Sequence, residues 1–315
     1  MFFTPFPGIA GRSPGKKCGW PAGAAWLAIL TAGAALWYFR AIPLLWYWSG
    51  IPADAPGALR LSEYRVTIEA RPLAGLEGNA SALTYDGETD TLFTTTNAPP
   101  QIVELSREGK ILRRVPVAGV EDLEGISSMG GRLFVLVDER EQQIHYRVRL
   151  EADARRVDVT GAPRLGLRVL ENGNLGFEGV TWDETRRRLF VAKEKTPRVF
   201  EIDGLADLTE GQSVNLQIRE WQPKQPFWRL LRDLSSLSYR EKTGHILLLS
   251  DESKMLAEYD EKDDLVGLMP LWRGFHGLSA GVPQAEGVTI GRDGAIYLIS
   301  EPNLFYRFER AGKAD

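Results

Sequence analysis

One stretch of this 315-residue chain, Asn174 to Glu194, returns in altered form at four other places, and an internal repeat constrains a fold more tightly than composition does. A Glu-Gly pair, Glu178 and Gly179, opens an alternating run (Val180, Thr181, Trp182). A charged turn follows, and the apolar run Leu189 to Ala192 closes on Glu194. Period-two alternation on both sides of a turn predicts a β-hairpin with an acid at each open end. The other copies open at Ser81, Glu124, Ser235 and Glu286, so successive openings lie 43, 54, 57 and 51 residues apart. Repeats of roughly 40–50 residues are the signature of propeller blades, and a radial ring of sheets is the simplest closed arrangement.

Each complete copy has room for two more strands, such as Gln101 to Leu105 and Ile111 to Val117. The last copy stops after its third strand, Leu304 to Phe308, while Leu61 to Leu73 alternates without a hairpin of its own. That orphan strand can complete the last blade and leave no sheet edge unpaired. The predicted fold is therefore an all-β, five-bladed β-propeller over residues 60–315, preceded by a single N-terminal transmembrane helix. Two long connections interrupt the spacing. Pro223 to Arg232 suggests a short helix packed on a face of the disc through Phe227, Trp228, Leu230 and Leu231. Trp272 to Gln284 precedes the fifth hairpin; both either carry binding groups or simply cover blade edges.

The N-terminus is different material. Five of the nine Trp (Trp20, Trp26, Trp37, Trp46, Trp48) lie before residue 50, and no acid occurs before Asp54. Residues 18–39 form an uncharged run of 22, long enough at helical rise to cross roughly 30 Å of hydrocarbon. The reading is a basic cytoplasmic segment (1–17), a transmembrane anchor (18–39), and an interfacial aromatic segment and linker (40–59). Arg12, Lys16 and Lys17 precede the run and Arg40 follows it, so the charge bias places the propeller outside the cytoplasm. The expected location is a bacterial inner membrane, single-pass, with the propeller in the periplasm. Trp37, Tyr38, Trp46, Tyr47 and Trp48 would form an aromatic belt. A cleaved signal peptide is the competing reading, although its apolar core usually spans only 7–15 residues. Cys18, the one cysteine, has no Leu-x-Gly context for lipid modification and excludes both a disulfide framework and a cysteine-based zinc site.

The hairpin mouths carry the chemistry. In register, Glu178 should neighbour Glu194, Glu124 should neighbour Glu139, and Glu286 should neighbour Glu301. Because inner strands line the channel, these pairs should converge at one end, joined by Asp122, Asp233, Asp251 and Glu252. Asn97 takes the equivalent place in the first copy, and Ser81 and Ser235 replace the opening acid in the first and fourth. Crowded carboxylates repel and raise one another's pKa unless a cation sits among them. Hard oxygen donors suit Ca²⁺ with six to eight ligands. The expected metal ligands are Glu124, Glu139, Glu178, Glu194, Asp233, Glu252, Glu286, Glu301 and Asn97. Individual glutamates could instead accept strand amides or pair with Arg140, Lys193 or Lys195. The histidines (His145, His245, His276) fall in three different repeats, which argues against zinc. Gly125, Gly179 and Gly287 fit close backbone approach at a crowded axis.

A net charge of −4 and a pI near 5.6 leave no basic footprint for nucleic acid. No Gly-x-Ser-x-Gly elbow or local Ser-His-Asp set appears. The stretches FEGVTWDETRRRLFVAKEK from Phe177, LSSLSYREKTGHILLLSDES from Leu234 and PQAEGVTIGRDGAIYLISEPNLFYRFER from Pro283 make residues 75–310 resemble the SdiA-regulated domain family of bacterial propellers. The resemblance implies five blades distantly similar to NHL repeats, a calcium site, and no established activity. Ser81 and Ser235 depart from the acidic pattern, which leaves the number of ligand carboxylates open. The expected function is a membrane-anchored, extracytoplasmic, calcium-binding propeller that presents a face to an envelope ligand or protein. The alternative is a calcium-dependent hydrolase of esters, lactones or phosphoesters, with His276 as its candidate catalytic base. A sensor signalling through the helix ranks last, because only 17 residues precede the apolar run.

Overall fold

The computed structural model describes residues 22–38, 47, 55–76, 79–167, 176–205, 215–225 and 230–312. The chain divides into two units, Met1–Phe39 and Arg40–Asp315. In the first, residues Ala22–Tyr38 form a 17-residue helix with Trp26, Leu27, Ile29 and Leu30 exposed. No helix among the described residues is long and apolar enough to cross a membrane; of the expected span 18–39, residues 18–21 and 39 lie outside those described.

In the second unit every repeat folds as the hairpin its alternation predicts, and each hairpin grows into one sheet. Blade 1 has strands Ala80–Asp86, Thr91–Asn97, Pro100–Leu105 and Ile111–Ala118, with Val157–Asp158 added in parallel at its outer edge. Blade 2 has Leu123–Ser128, Leu133–Asp138, Gln143–Arg149 and Arg164–Gly166; blade 3 has Phe177–Asp183, Arg188–Lys193, Arg198–Asp203 and Gln217–Glu220. Blade 4 has Ser236–Arg240, His245–Ser250, Met255–Tyr259 and Leu265–Pro270. Blade 5 has Gln284–Ile290, Ile296–Glu301 and Leu304–Arg310, and its fourth strand is Tyr64–Pro72 from the other end of the chain. The ring thus closes as the orphan strand requires, except that Leu61–Glu63 is a turn of 3₁₀ helix rather than strand.

The first strands of successive blades are mutual neighbours all the way round, blade 5 against blade 1 included. Between each adjacent pair of sheets lies one apolar layer. Phe93 meets Phe134 edge to face at 4.9 Å between blades 1 and 2, Val137 meets Val180 between 2 and 3, and Leu237 meets Phe190 between 3 and 4. Leu249 and Leu298 belong to the layer between 4 and 5, and Ile299 and Leu83 to the layer between 5 and 1. Burying each such side chain contributes about 1.5–3 kcal/mol, so the core is five thin layers rather than one globule.

A belt of hydroxyls ties the inner strands together. Thr84 Oγ1 accepts the Ser128 N–H at 3.1 Å, Ser127 Oγ accepts Trp182 N–H at 3.0 Å, Thr181 Oγ1 accepts Tyr239 N–H at 3.0 Å, and Thr289 Oγ1 accepts Tyr85 N–H at 3.0 Å. Each bond joins one blade to the next and satisfies an amide that the strand ladder leaves over.

The segment entering blade 5 is pinned by a buried acid. Both Glu258 oxygens accept the Leu59 N–H at 3.0 Å, while His245 Nδ1 lies 2.8 Å from Glu258 Oε1 and Arg240 Nη1 3.8 Å away. Tyr47 packs edge-on against Phe275, in the loop before blade 5, at 5.8 Å. The side chains of Trp37 and Tyr38, and Trp46 and Trp48 entirely, lie outside the described residues. So do residues 226–229 of the expected disc-face helix; Leu230 and Leu231 are buried between blades 3 and 4.

A candidate metal centre at the acidic mouth

The inner strands do not keep the simple register the sequence suggested. In blade 3, Phe177 pairs with Lys193 but Gly179 pairs with Ala192, leaving Glu178 in a β-bulge. The same shift isolates Ser81 between Ala80 and Ala82, Glu124 between Leu123 and Gly125, and Glu286 between Ala285 and Gly287. In blade 4 the Leu249 carbonyl accepts the Ser235 N–H while Leu249 also stands opposite Ser236. A bulge places two residues against one and re-aims a side chain. Glu178 is therefore not opposite Glu194, whose N–H reaches the Gly176 carbonyl. Glu139 likewise backs onto Asp122, and Glu301 pairs with Gln284.

The glycine after each bulge acid is needed for space. A Cβ on Gly179 would meet Ser236 Cα and the Leu237 backbone nitrogen at 3.1 Å, and one on Gly287 would meet Ala82 C and Leu83 N at 2.8 Å. Adjacent inner strands thus touch backbone to backbone where the acids open.

The five bulge residues, one per blade, surround a cavity of about 280 Å³. Ser81, Glu124, Glu178, Ser235 and Glu286 line it with Glu194, Asp233, Asp251, Glu252, Gln284, Glu301 and Lys195. Of the nine residues expected to bind metal, seven line this cavity. The other two adjoin it: Asn97 Nδ2 donates to Glu124 Oε1 at 3.2 Å, and Glu139 Oε1 accepts the Gly176 N–H at 3.1 Å.

These acids are not equivalent. Lys195 Nζ bridges Glu194 and Glu252 at 3.0 and 3.1 Å, so that side already has its cation, which in turn raises the lysine's pKa. Asp233 is buried and accepts the Ser250 hydroxyl and the Glu252 N–H, and Lys254 holds Asp251. Among the described residues, no Lys or Arg charge is a leading influence on Glu124, Glu178 or Glu286. Burial pushes the Glu124 carboxyl up to about 8, against hydrogen bonds from Ser81 and Asn97 that lower it. Burial likewise pushes Glu286 to about 7. Glu178 rises well above the carboxylate range, first from burial and then from the charges of Glu124, Glu139, Glu194 and Glu286. Glu139, Asp233 and Glu301 also rise, burial being the main cause.

Carboxylate oxygens of Asp122, Glu124 and Glu139 lie within 4.8 Å of one another, close enough to share a cation with oxygens 2.3–2.6 Å away. Arg140, 62% exposed, lies 3.7 Å from Asp122. Ser235 Oγ, buried in the cavity wall, has no hydrogen-bond partner among the described residues. All donors are oxygen, the set a hard divalent cation takes and zinc does not favour. Sequence reasoning put Asp122 at the mouth but not among the ligands, because the bulge that sets it against Glu139 leaves no mark on hydrophobic alternation.

His276 stands elsewhere. Its carbonyl accepts the Val66 N–H and its Nδ1 lies 3.0 Å from the Tyr64 carbonyl, which fixes it on the outer strand of blade 5. No histidine lines the acidic cavity. The loop carrying it covers a blade edge, since Ser279 also donates to Glu69 there.

Similar solved structures include a nidogen–laminin complex, at 16% identity over 70% of this chain and 72% of that one with a TM-score of 0.42. A catalytically inactive virginiamycin B lyase from Staphylococcus aureus with quinupristin matches at 11% over 73% and 65%, TM-score 0.41. A streptogramin B lyase matches at 10% over 78% and 97%, TM-score 0.47. At such identities and TM-scores below 0.5, what this chain does rests on its own residues. Its family is firmer: the SdiA-regulated profile matches residues 57–309, the whole ring of blades, and the chain belongs to that family.

Proposed function

We propose that this protein is a membrane-anchored, extracytoplasmic propeller that holds Ca²⁺ at the acidic mouth and serves as a binding module of the cell envelope. The observation that carries the metal is the group Asp122, Glu124 and Glu139, whose oxygens lie within 4.8 Å where burial raises the carboxyls of Glu124 and Glu178. A divalent cation would let these groups ionise together. Asp122, Glu124 and Glu139 would hold it, with Glu178 nearest in charge. The anchor rests on the uncharged run 18–39 and on the exposed apolar side chains of the helix.

The test is calorimetric titration of the detergent-solubilised full chain with Ca²⁺. One ion per chain is expected, bound at least tenfold more weakly by Glu124→Gln and Asp122→Asn. No heat, or binding indifferent to both variants, refutes the metal. Alkaline washing of membranes should leave the chain in the pellet, and its release would refute the anchor. The hydrolase reading keeps one supporting observation, the Glu286 carboxyl near 7, which is suited to proton transfer. Calcium-dependent turnover of an ester or lactone panel, abolished by Glu286→Gln, would favour it.

A further inference from the structure

The channel end remote from the acids is wider, a funnel of about 940 Å³ with all five hydroxyl positions, Thr84, Ser127, Thr181, Ser238 and Thr289, in its lining. Each lies three residues after the opening residue of its blade, and they are only 3–8% exposed. Four of them accept a backbone N–H from the next blade. A hydroxyl that accepts still has its own proton to give, and accepting an N–H polarises that proton. Only Ser127 directs it at a neighbouring carbonyl, and then at 3.4 Å. The funnel floor is therefore a ring of O–H donors with little to donate to.

The rim has matching charge. Six basic and four acidic side chains line the funnel. Arg107 and Arg307 face Asp293, and Arg310 faces Glu63. Arg292 donates to the Gly87 carbonyl and, behind the Tyr85 hydroxyl and Arg107, its charge lowers the Asp90 carboxyl, whereas Lys242, also in the lining, forms no ion pair among the described residues. Glu241 is occupied by the Glu184 and Thr185 amides, and Glu184 by the Trp182 indole. Tyr85, Trp182 and Tyr239 supply apolar wall between floor and rim.

We propose that this funnel binds a small molecule through an oxyanion, a carboxylate or a phosphate, which takes the hydroxyl protons of the floor and is drawn in by Arg292 and Lys242. This site is at the opposite mouth from the metal and does not depend on it. Calorimetric titration of the full chain in neutral detergent with inorganic phosphate, and separately with acetate, tests it. Divalent ions are removed beforehand on a chelating resin so that the acidic mouth contributes no metal and no carboxylate chelator competes, and methyl glucoside is the uncharged control.

One site is expected for phosphate or for acetate, and which of the two binds identifies the source. Ser238→Ala, which takes no acceptor from a backbone amide, should weaken binding about tenfold, the value of a hydrogen bond to a charged group. Lys242→Ala, on the exposed rim, should weaken it less and flatten its dependence on salt. Absence of binding by both anions overturns the proposal. So does binding unchanged in both variants, or binding lost in Glu124→Gln but kept in Ser238→Ala, which would place the anion at the other mouth.

Discussion

Glu124 makes the acidic mouth a liability at alkaline pH when no cation is present. Its carboxyl is moved from the ordinary 4.5 to about 8, so between those values the folded chain keeps a proton that the unfolded chain has released. Stability must then fall as pH rises, the reverse of the behaviour of a salt-bridged acid. At about 1.4 kcal/mol per pH unit the gap sets a ceiling of about 5 kcal/mol. Solvent at the cavity mouth screens part of that, and half the ceiling corresponds to a fall of roughly 5–10 °C in Tm for a domain of this size. Glu286, moved to about 7, acts in the same direction. Scanning calorimetry of the full chain in EDTA between pH 5 and 9 should show this decline, which Glu124→Gln should flatten. Excess Ca²⁺ should remove it, because binding only the folded state adds stability where the carboxylates are ionised. A Tm in EDTA that stays level or rises over that range, with Glu124→Gln running parallel to wild type, would refute the reasoning.

Two further substitutions probe the frame that aims the acids. Gly287→Ala drives a Cβ to 2.8 Å from the backbone of blade 1 and 2.7 Å from Ile299. Overpacking of this kind costs about 1–3 kcal/mol, read as a lower urea midpoint at unchanged slope, while Gly161→Ala, with nothing near its Cβ, should change little. Glu258→Ala strips the Leu59 amide and His245 of their buried partner and should cost about 3–5 kcal/mol, exposing the Ala55–Glu63 segment to protease before the blades unfold; unchanged proteolysis would show that the segment is held by Leu59 and Leu61 alone.

The blades were legible because each carries its own copy of one pattern. Alternation of Val180 and Trp182 with polar neighbours, the turn, and the run Leu189 to Ala192 specify a hairpin locally, and five such hairpins at near-constant spacing specify the ring. The closing strand was legible for the same reason: Leu304–Arg310 lacks an outer partner in its own repeat, and Tyr64–Pro72 lacks any other. The site was legible only as a set of acids at one end. Which of them are free depends on contacts between copies, such as Lys195 reaching from blade 3 to Glu252 in blade 4, and no single repeat encodes those. His276 misled because a long loop before an acidic strand suggests a binding loop, whereas backbone bonds to Tyr64–Pro72 decide where it lies.

The bulge also explains how one short strand serves both ends of the channel. In a regular strand, residues three apart face opposite sides, so an opening acid and the hydroxyl three positions later could not both line the axis. Glu178 and Thr181 do, as do Glu124 with Ser127 and Glu286 with Thr289. The extra residue in the bulge absorbs the odd step: the glycine after the acid takes the next pairing position, and the hydroxyl follows it at an even spacing of two. Aligning the repeats by the small residue after the opening one, Gly125, Gly179 and Gly287 with Ala82 and Ser236, exposes the hydroxyl column that hydrophobic alternation hides. An oxygen-rich, negative mouth and a proton-donating funnel are then consequences of one local irregularity written five times, and the opposite charge preferences of the two ends follow from it without any change of fold.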